Sequence, residues 1–258
     1  MRTLSRRFLA VFTALALMIV MLPQLRFTAN ALTGSGTQED PYKIRTADDL
    51  KGMGMFGYYA LVNDIDLTGV SIASGLFTEY MDFRGVLDGR GYTISGLNIN
   101  AAYSDYVGLF ESCSGAEIKN LNVIGNVSGG NHVGGIVGRA ENVKISCCTF
   151  SGNVTGYRNV GGFIGLSNGS LAVSDCVKYG SVSGYNCVGG IAGSSRGSSE
   201  PEKTSIRNCV NKGSVLCDEN LKSVRPDDNR NCAHVGGIAG YTLATVIEYC
   251  RSENGSRV

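Results

Sequence analysis

The sequence predicts an all-β fold, a right-handed parallel β-helix with an N-terminal cap that includes a short helix. Internal repetition is the first ground. "VGGIVG" (133–138) returns as "VGGFIG" (160–165) and twice as "VGGIAG" (188–193 and 235–240), with a looser copy, "VGLF", at Val107. The opening valines Val107, Val133, Val160, Val188 and Val235 lie 26, 27, 28 and 47 residues apart. A second anchor repeats beside the first: "IKNLNVIGNV" (118–127), "ISCCTFSGNV" (145–154), "VSDCVKYGSV" (173–182) and "IRNCVNKGSV" (206–215) align without gaps. The second ground is the content of each unit: short β-favouring pieces parted by Gly, Asn and Ser, with no run of ten helix-periodic residues. The third is the period. About 27 residues fit one coil of a parallel β-helix, whereas a propeller blade needs about 40. One coil cannot bury its apolar side chains alone; stacked coils about 4.8 Å apart share one core.

The elements follow in order. Arg2, Arg6 and Arg7 precede the apolar run "FLAVFTALALMIVML" (8–22), and "ANA" closes at Ala31. That is the pattern of a cleaved secretory signal, residues 1–31, with an uncleaved membrane anchor as the alternative; the apolar run is shorter than the ~20 residues of a membrane span. Removing it takes four arginines and no acid, leaving 19 basic against 22 acidic residues. The exported chain is weakly acidic and has no basic stripe for nucleic acid. Residues 32–102 read as the cap and first coils. "TADDL" (46–50) carries an N-cap at Thr46 with Asp49 three residues on, the pattern of a short helix. "YYALVNDIDL" (58–67) and "FRGVLDGRGYTISGLNI" (83–99) read as strands broken by Gly turns. The repeats fill 103–258, with an insertion at about 216–234 that lengthens the last spacing. "IEYCRSENGSRV" (247–258) begins a fifth copy, irregular after Cys250, and shows no cap, so the C-terminal end reads as incomplete.

Gly134, Gly135, Gly161, Gly162, Gly189, Gly190, Gly236 and Gly237 mark one turn of each unit. Residues without a Cβ reach φ > 0 there, or bend where a side chain would clash. Leu109 stands where the other units have the second Gly.

The segments "GTQEDPYKIRTADDLKGM", "YYALVNDIDLTG", "FRGVLDGRGYTISGLNI", "DYVGLFESCSGAEIKNLNV" and the "GNVSG…VGGIVG" units resemble GLUG-motif proteins over roughly residues 36–250. That family is secreted or surface-exposed, largely bacterial, and includes segments of IgA1-specific metalloproteases. The resemblance implies a right-handed β-helix and an extracellular, adhesin-like role. Two features depart from it: the insertion, and the lack of the H-E-x-x-H of the proteases. The only histidines are His132 and His234, so zinc protease chemistry is not carried over.

Among nine cysteines, Cys148, Cys176, Cys209 and Cys250 share one repeat position, held by Leu121 in the first unit. They read as an inward ladder of small hydrophobes. Cys217 and Cys232 flank "DENLKSVRPDDNRN" and are a candidate disulfide that would pin the insertion, with Cys187 a competing partner for Cys232. Cys187 and His234 fall one coil apart, the arrangement of a thiol–imidazole dyad or simply two stacked turn residues. Asp64, Asp66 and Asp88 are candidate carboxylates for polysaccharide cleavage, or ordinary turn formers. "RPDDNRN" lacks the acidic spacing of a calcium loop. The sequons at Asn126, Asn153, Asn168 and Asn254 fall in repeat register, as turn residues do. No cofactor or metal site is expected. The functional expectation is a secreted or surface module that binds a glycan or a host or matrix protein, or acts as a spacer. The alternatives are a polysaccharide lyase or glycosidase, and a structural piece of a larger surface protein.

Overall fold

A computed structural model describes residues 32–77, 81–197, 204–224 and 233–253. The expected signal peptide, Cys232, Asn254 and the "RPDDNRN" segment lie outside the described residues. The chain is the expected parallel β-solenoid. Its strands form two sheets that run along the stack, and every strand pair within them is parallel.

Both sequence anchors become ladders. Val107, Val133, Val160, Val188 and Val235 pair in register from coil to coil. So do Ile118, Ile145, Val173, Ile206 and Ile247. These β-branched side chains point inward and are buried in every coil but the last described one. Units of unequal length keep this register because extra residues sit at corners. One is absorbed where the pairing shifts between Glu141 and Val143, opposite Asn168 and Leu171. The large insertion is narrower than its sequence suggests. Val215–Cys217 still pairs with the neighbouring strand Val182–Gly189, as does Ala233–Gly236, so both ends of the expected insertion belong to the stack.

The cap forms as its motif predicts. Helix Ala47–Lys51 carries a complete capping box: the Asp49 N–H donates to Thr46 Oγ1 at 3.0 Å, and the Thr46 N–H donates to Asp49 Oδ2 at 3.1 Å. Asp49 also accepts from the Arg45 N–H at 2.9 Å. Two donors at the helix start that would otherwise lack partners are thereby satisfied. Leu50 projects from this helix into the core and is fully buried.

The motif glycines work differently from one of the two expected ways: none of the eight has a positive φ. The left-handed position falls one residue before the motif Val, at Tyr106, His132, Asn159, Cys187 and His234, with φ of 59°, 59°, 51°, 56° and 65°. A second left-handed corner precedes the cysteine position, at Asn120, Cys147, Asp175, Asn208 and Tyr249. The glycines are needed for close approach instead. A Cβ on Gly162 would lie 2.2 Å from the Gly190 carbonyl oxygen, and one on Gly134 would lie 2.2 Å from that of Val137.

In three of the motifs the second Gly, at 135, 162 and 190, also faces an inward position of the opposite sheet. Val123, Phe150, Lys178 and Asn211 form one inward row. A Cβ on Gly135 would meet the Phe150 ring at 2.6 Å, one on Gly162 the Lys178 stem at 2.6 Å, and one on Gly190 the Asn211 amide at 2.5 Å. The coil with the bulky Leu109 in the Gly position has the smaller Val123 in this row, so volume is exchanged across the core.

Candidate functional site

A shallow polar surface wraps the corner of the early coils. Parallel pairing puts Tyr58, Val86 and Glu117 in one outward row, and Ala60, Asp88 and Lys119 in the next. The chain then turns through Gly89, Arg90 and Gly91, with Arg90 at φ 51° and Gly91 at φ 82°. A Cβ on Gly91 would meet nothing within 4 Å, so the surface above it is open. An open groove of about 460 Å³ lies here, lined by Asp88, Arg90, Gly91, Asn120, Asn122 and Cys147. A smaller recess of about 60 Å³ adjoins it and shares Asp88 and Arg90; Pro41, Tyr58, Val86 and Lys119 help to line it.

The groove is held by hydrogen bonds between coils. Asp88 Oδ1 accepts from the Arg90 N–H at 2.9 Å and from Asn120 Nδ2 at 3.0 Å. Asn122 donates to the Gly91 carbonyl at 2.8 Å and accepts from Thr149 at 2.7 Å. Lys119 pairs with Glu117 at 2.8 Å, and this contact holds its ammonium above the ordinary value, with Asp88 and Tyr58 adding to the effect. Charge in this region is balanced, Arg90 and Lys119 against Asp88 and Glu117.

The three candidate carboxylates serve as backbone acceptors, Asp66 and Asp88 within turns and Asp64 between coils. Asp64 Oδ1 accepts from the Thr93 N–H at 2.8 Å. Asp66 Oδ1 accepts from the Thr68 N–H at 2.8 Å, and its hydrogen bonds with Thr68 lower its pKa. Only Asp88 also faces the groove. The sequon asparagines link coils: Asn126 Oδ1 accepts from the Asn153 N–H at 3.0 Å, and Asn153 Oδ1 accepts from the Ser181 N–H at 3.1 Å. Asn168 lies in the strand Ile164–Ser174, paired with Glu141 and Arg196.

The insertion starts from the other corner. Its 3-10 helix, Glu219–Val224, folds back onto the strands Val154–Gly161 and Val182–Gly189. Those strands carry Tyr157 and Tyr185, both buried and stacked at 5.3 Å with 7° between their planes. Cys217 is disulfide-bonded, and the other expected half, Cys232, lies outside the described residues.

Cys148, Cys176 and Cys209 are fully buried, and Cys250 in the last described coil is partly exposed. Each thiol donates to the carbonyl two residues back, at Ser146, Ser174, Arg207 and Glu248, over 3.1 to 3.3 Å. The cysteine therefore satisfies a corner carbonyl that a Leu leaves to other partners. Cys187 and His234 occupy adjacent rungs, but Cys187 Sγ donates to Asn186 Oδ1 at 2.9 Å and the His234 ring makes an edge contact with Tyr241 at 5.6 Å. His132 stacks on Tyr106 at 4.9 Å, and its Nδ1 accepts from Asn159 at 2.8 Å. Burial, followed by the nearby Arg158, Arg196 and Arg139, lowers its pKa to about 4 against the pull of Asp105.

Sequence reasoning did not single out Lys178. It is fully buried beneath the inward face, its Nζ donating to the Gly152 carbonyl at 2.7 Å and to that of Tyr179. The Phe150 ring lies 5.4 Å away, and burial lowers the amine pKa to about 7. In the next coil Asn211 serves the same turn, donating to the Gly213 carbonyl at 2.9 Å and accepting from the Gly213 N–H at 3.1 Å. The fragment "VKYGSV" placed a polar residue inside the repeat pattern, the one available signal of this role.

Among the described residues, no group of three or more His, Cys, Asp or Glu side chains is placed to hold a metal ion. No helix among them is long and apolar enough to cross a membrane. Fold and surface together define a repeat-built parallel β-solenoid with an open polar groove on its early coils.

Comparison with known proteins extends that class. No protein-family model matches the chain. Halomucin of Haloquadratum walsbyi is 30% identical over 153 residues, 42% of this chain and 2% of that protein. A protein of Evansella cellulosilytica named "Putative Gly-rich membrane protein" is 36% identical over 103 residues, 36% of this chain and 12% of that protein. The chain thus spans a small part of either relative. The solved structure of a "putative immunoglobulin A1 protease" from Bacteroides ovatus matches with a TM-score of 0.61 at 21% identity, over 85% of this chain and 69% of that one. That likeness is one of fold.

Proposed function

We propose that this chain is a GLUG-type repeat module, exported through residues 1–31, that acts at the cell surface or beyond it by binding a glycan or an extracellular protein. The observation that carries the reading is the open groove on a rigid stack, whose in-register side chains are locked by hydrogen bonds between coils. A preformed polar surface repeated along a stack suits contact with an extended ligand. The names of the two relatives, a mucin-like name and a membrane protein, agree with a surface setting. The insertion is a second contact surface, held against the stack by its 3-10 helix and pinned by a Cys217–Cys232 bridge. On this reading Asp66 and Asp88 build turns, Asp64 ties one coil to the next, and none of the three catalyses. The enzyme alternative retains one specific observation, that Asp88 faces the groove.

The test is to run the purified protein through gels cast with polysaccharides, stain those gels for polysaccharide, and measure its capture on immobilised extracellular-matrix proteins. Retardation over intact polysaccharide, or capture on a matrix protein, is the expected outcome. A cleared zone behind the band would establish the enzyme instead. Neither binding nor clearing would leave a spacer.

A further inference from the structure

The corner groove has features that select among ligand classes. Its volume lies within the ~300–1,000 Å³ range of small-molecule sites. Its own lining is polar apart from Gly91 and Cys147, and the larger apolar side chains, among them Pro41, Tyr58 and Val86, line the adjoining recess that shares Asp88 and Arg90. A protein partner would need a desolvated apolar centre to anchor side chains; the groove offers none, and the recess beside it, at about 60 Å³, is too small to take a large side chain. An acidic polymer would need excess positive charge, yet Arg90 and Lys119 are matched by Asp88 and Glu117.

What remains is a set of donors and acceptors in fixed positions. Asp88 Oδ1 is committed to the Arg90 N–H and to Asn120, which aims the carboxylate and leaves Oδ2 directed to other partners. Arg90 stands at a left-handed corner, and Tyr58, 36% exposed, lines the recess beside it with an amphipathic side chain. A carboxylate, a guanidinium and an amide around an amphipathic ring suit neighbouring hydroxyl groups on a pyranose ring.

We infer that the groove around Tyr58, Asp88, Arg90 and Asn120 binds a neutral polysaccharide. Asp88 and Asn120 accept from sugar hydroxyls, Arg90 donates to them, and Tyr58 packs on a ring face. The inference rests on the reading of the chain as a binding module and assigns that module a site and a ligand class.

Exposed Cys147 lines the same groove and allows a test that needs no destabilising change. The purified protein is run through gels containing mannan, galactomannan, soluble starch, polygalacturonate or hyaluronan, before and after reaction with a polyethylene-glycol maleimide. The expected result is retardation by at least one neutral polysaccharide, lost on labelling. Labelled Cys147→Ser keeps its retardation, although the partly exposed Cys187 and Cys250 react in both proteins. Asp88→Asn, which keeps the turn acceptor, and Arg90→Asn, which tolerates the left-handed corner, each weaken binding by about 10-fold with unchanged melting, the loss expected for about 1.4 kcal/mol of contact. Retardation unaffected by labelling and by both variants would overturn the groove while leaving the binding module intact. Retardation by the acidic polymers alone would overturn the neutral class. Capture on matrix proteins without retardation in any gel would overturn the glycan assignment but not the module.

Discussion

The two ends of the stack carry rungs of the same kind and bury them differently. At the N-terminal end Ile44, Leu50 and Leu61 are fully buried, with Leu50 supplied by the capping helix. In the last described coil Ile247 is 41% exposed, although it holds the register position of the fully buried Ile206. Val235, Ile238 and Cys250 are likewise only partly buried, while Val188, Ile191 and Cys209 one coil earlier are sealed. Burial in a solenoid is therefore a property of the neighbouring coil as much as of the residue.

The comparison can be broken from the middle of the stack outwards. Gly162→Ala has the largest expected effect, a loss of about 3 kcal/mol, read by denaturant unfolding. Its Cβ would sit against the Gly190 carbonyl and the Lys178 stem, and the tightly packed middle of the stack cannot yield as a terminal coil can. The ends sharpen the contrast. Leu50→Ala is expected to cost about 3 kcal/mol as a sealed rung, and Ile247→Ala about 1 kcal/mol or less as an open one. Equal costs would mean that the last described coil is covered by something else.

His132 gives a pH-dependent term of similar size. Its folded pKa of about 4 lies below the ordinary 6.5, so between those values the unfolded chain binds the extra proton. The stabilisation is fully present above pH 6.5 and is lost as pH falls towards 4, by at most about 3 kcal/mol. His132→Asn, which retains a residue tolerant of the left-handed corner, flattens the melting temperature against pH over that window. A smaller loss, about 1 kcal/mol, is expected for Thr46→Ala, which removes the helix cap. Smallest is Tyr249→Gly. This exposed residue at φ 55° carries the cost of a left-handed corner, and glycine removes it for a net gain of about 0.5 kcal/mol.

Much of this fold was legible because its signals are local or periodic. Thr46 and Asp49 announce the capping box by spacing alone, and the valine and isoleucine anchors mark ladders because parallel in-register pairing preserves position from coil to coil. The corners were harder to read. The left-handed position is filled in turn by Tyr, His, Asn, Cys and His, with no shared side chain to betray it, while the conspicuous glycines beside it serve close packing. The groove was less legible still. Asp88 was visible as a candidate carboxylate, but Tyr58, Arg90 and Asn120 come from three successive coils and meet only after register and corner geometry bring them together. Lys178 was hidden for the opposite reason: its charge suggests solvent, but two carbonyls of an inward-facing turn give it a place inside.

The central claim is a continuous stack in which each coil is held by its neighbours and the groove sits on a rigid, preformed part. Native-state hydrogen exchange read by mass spectrometry tests it most directly. The account predicts slow exchange from the capped coils through Val182–Gly189, including the groove strands Val86–Asp88 and Glu117–Lys119, and faster exchange in Ala239–Leu243 and Val246–Glu248. Fast exchange in the groove strands, or protection in the last described coil equal to that of the middle, would contradict it.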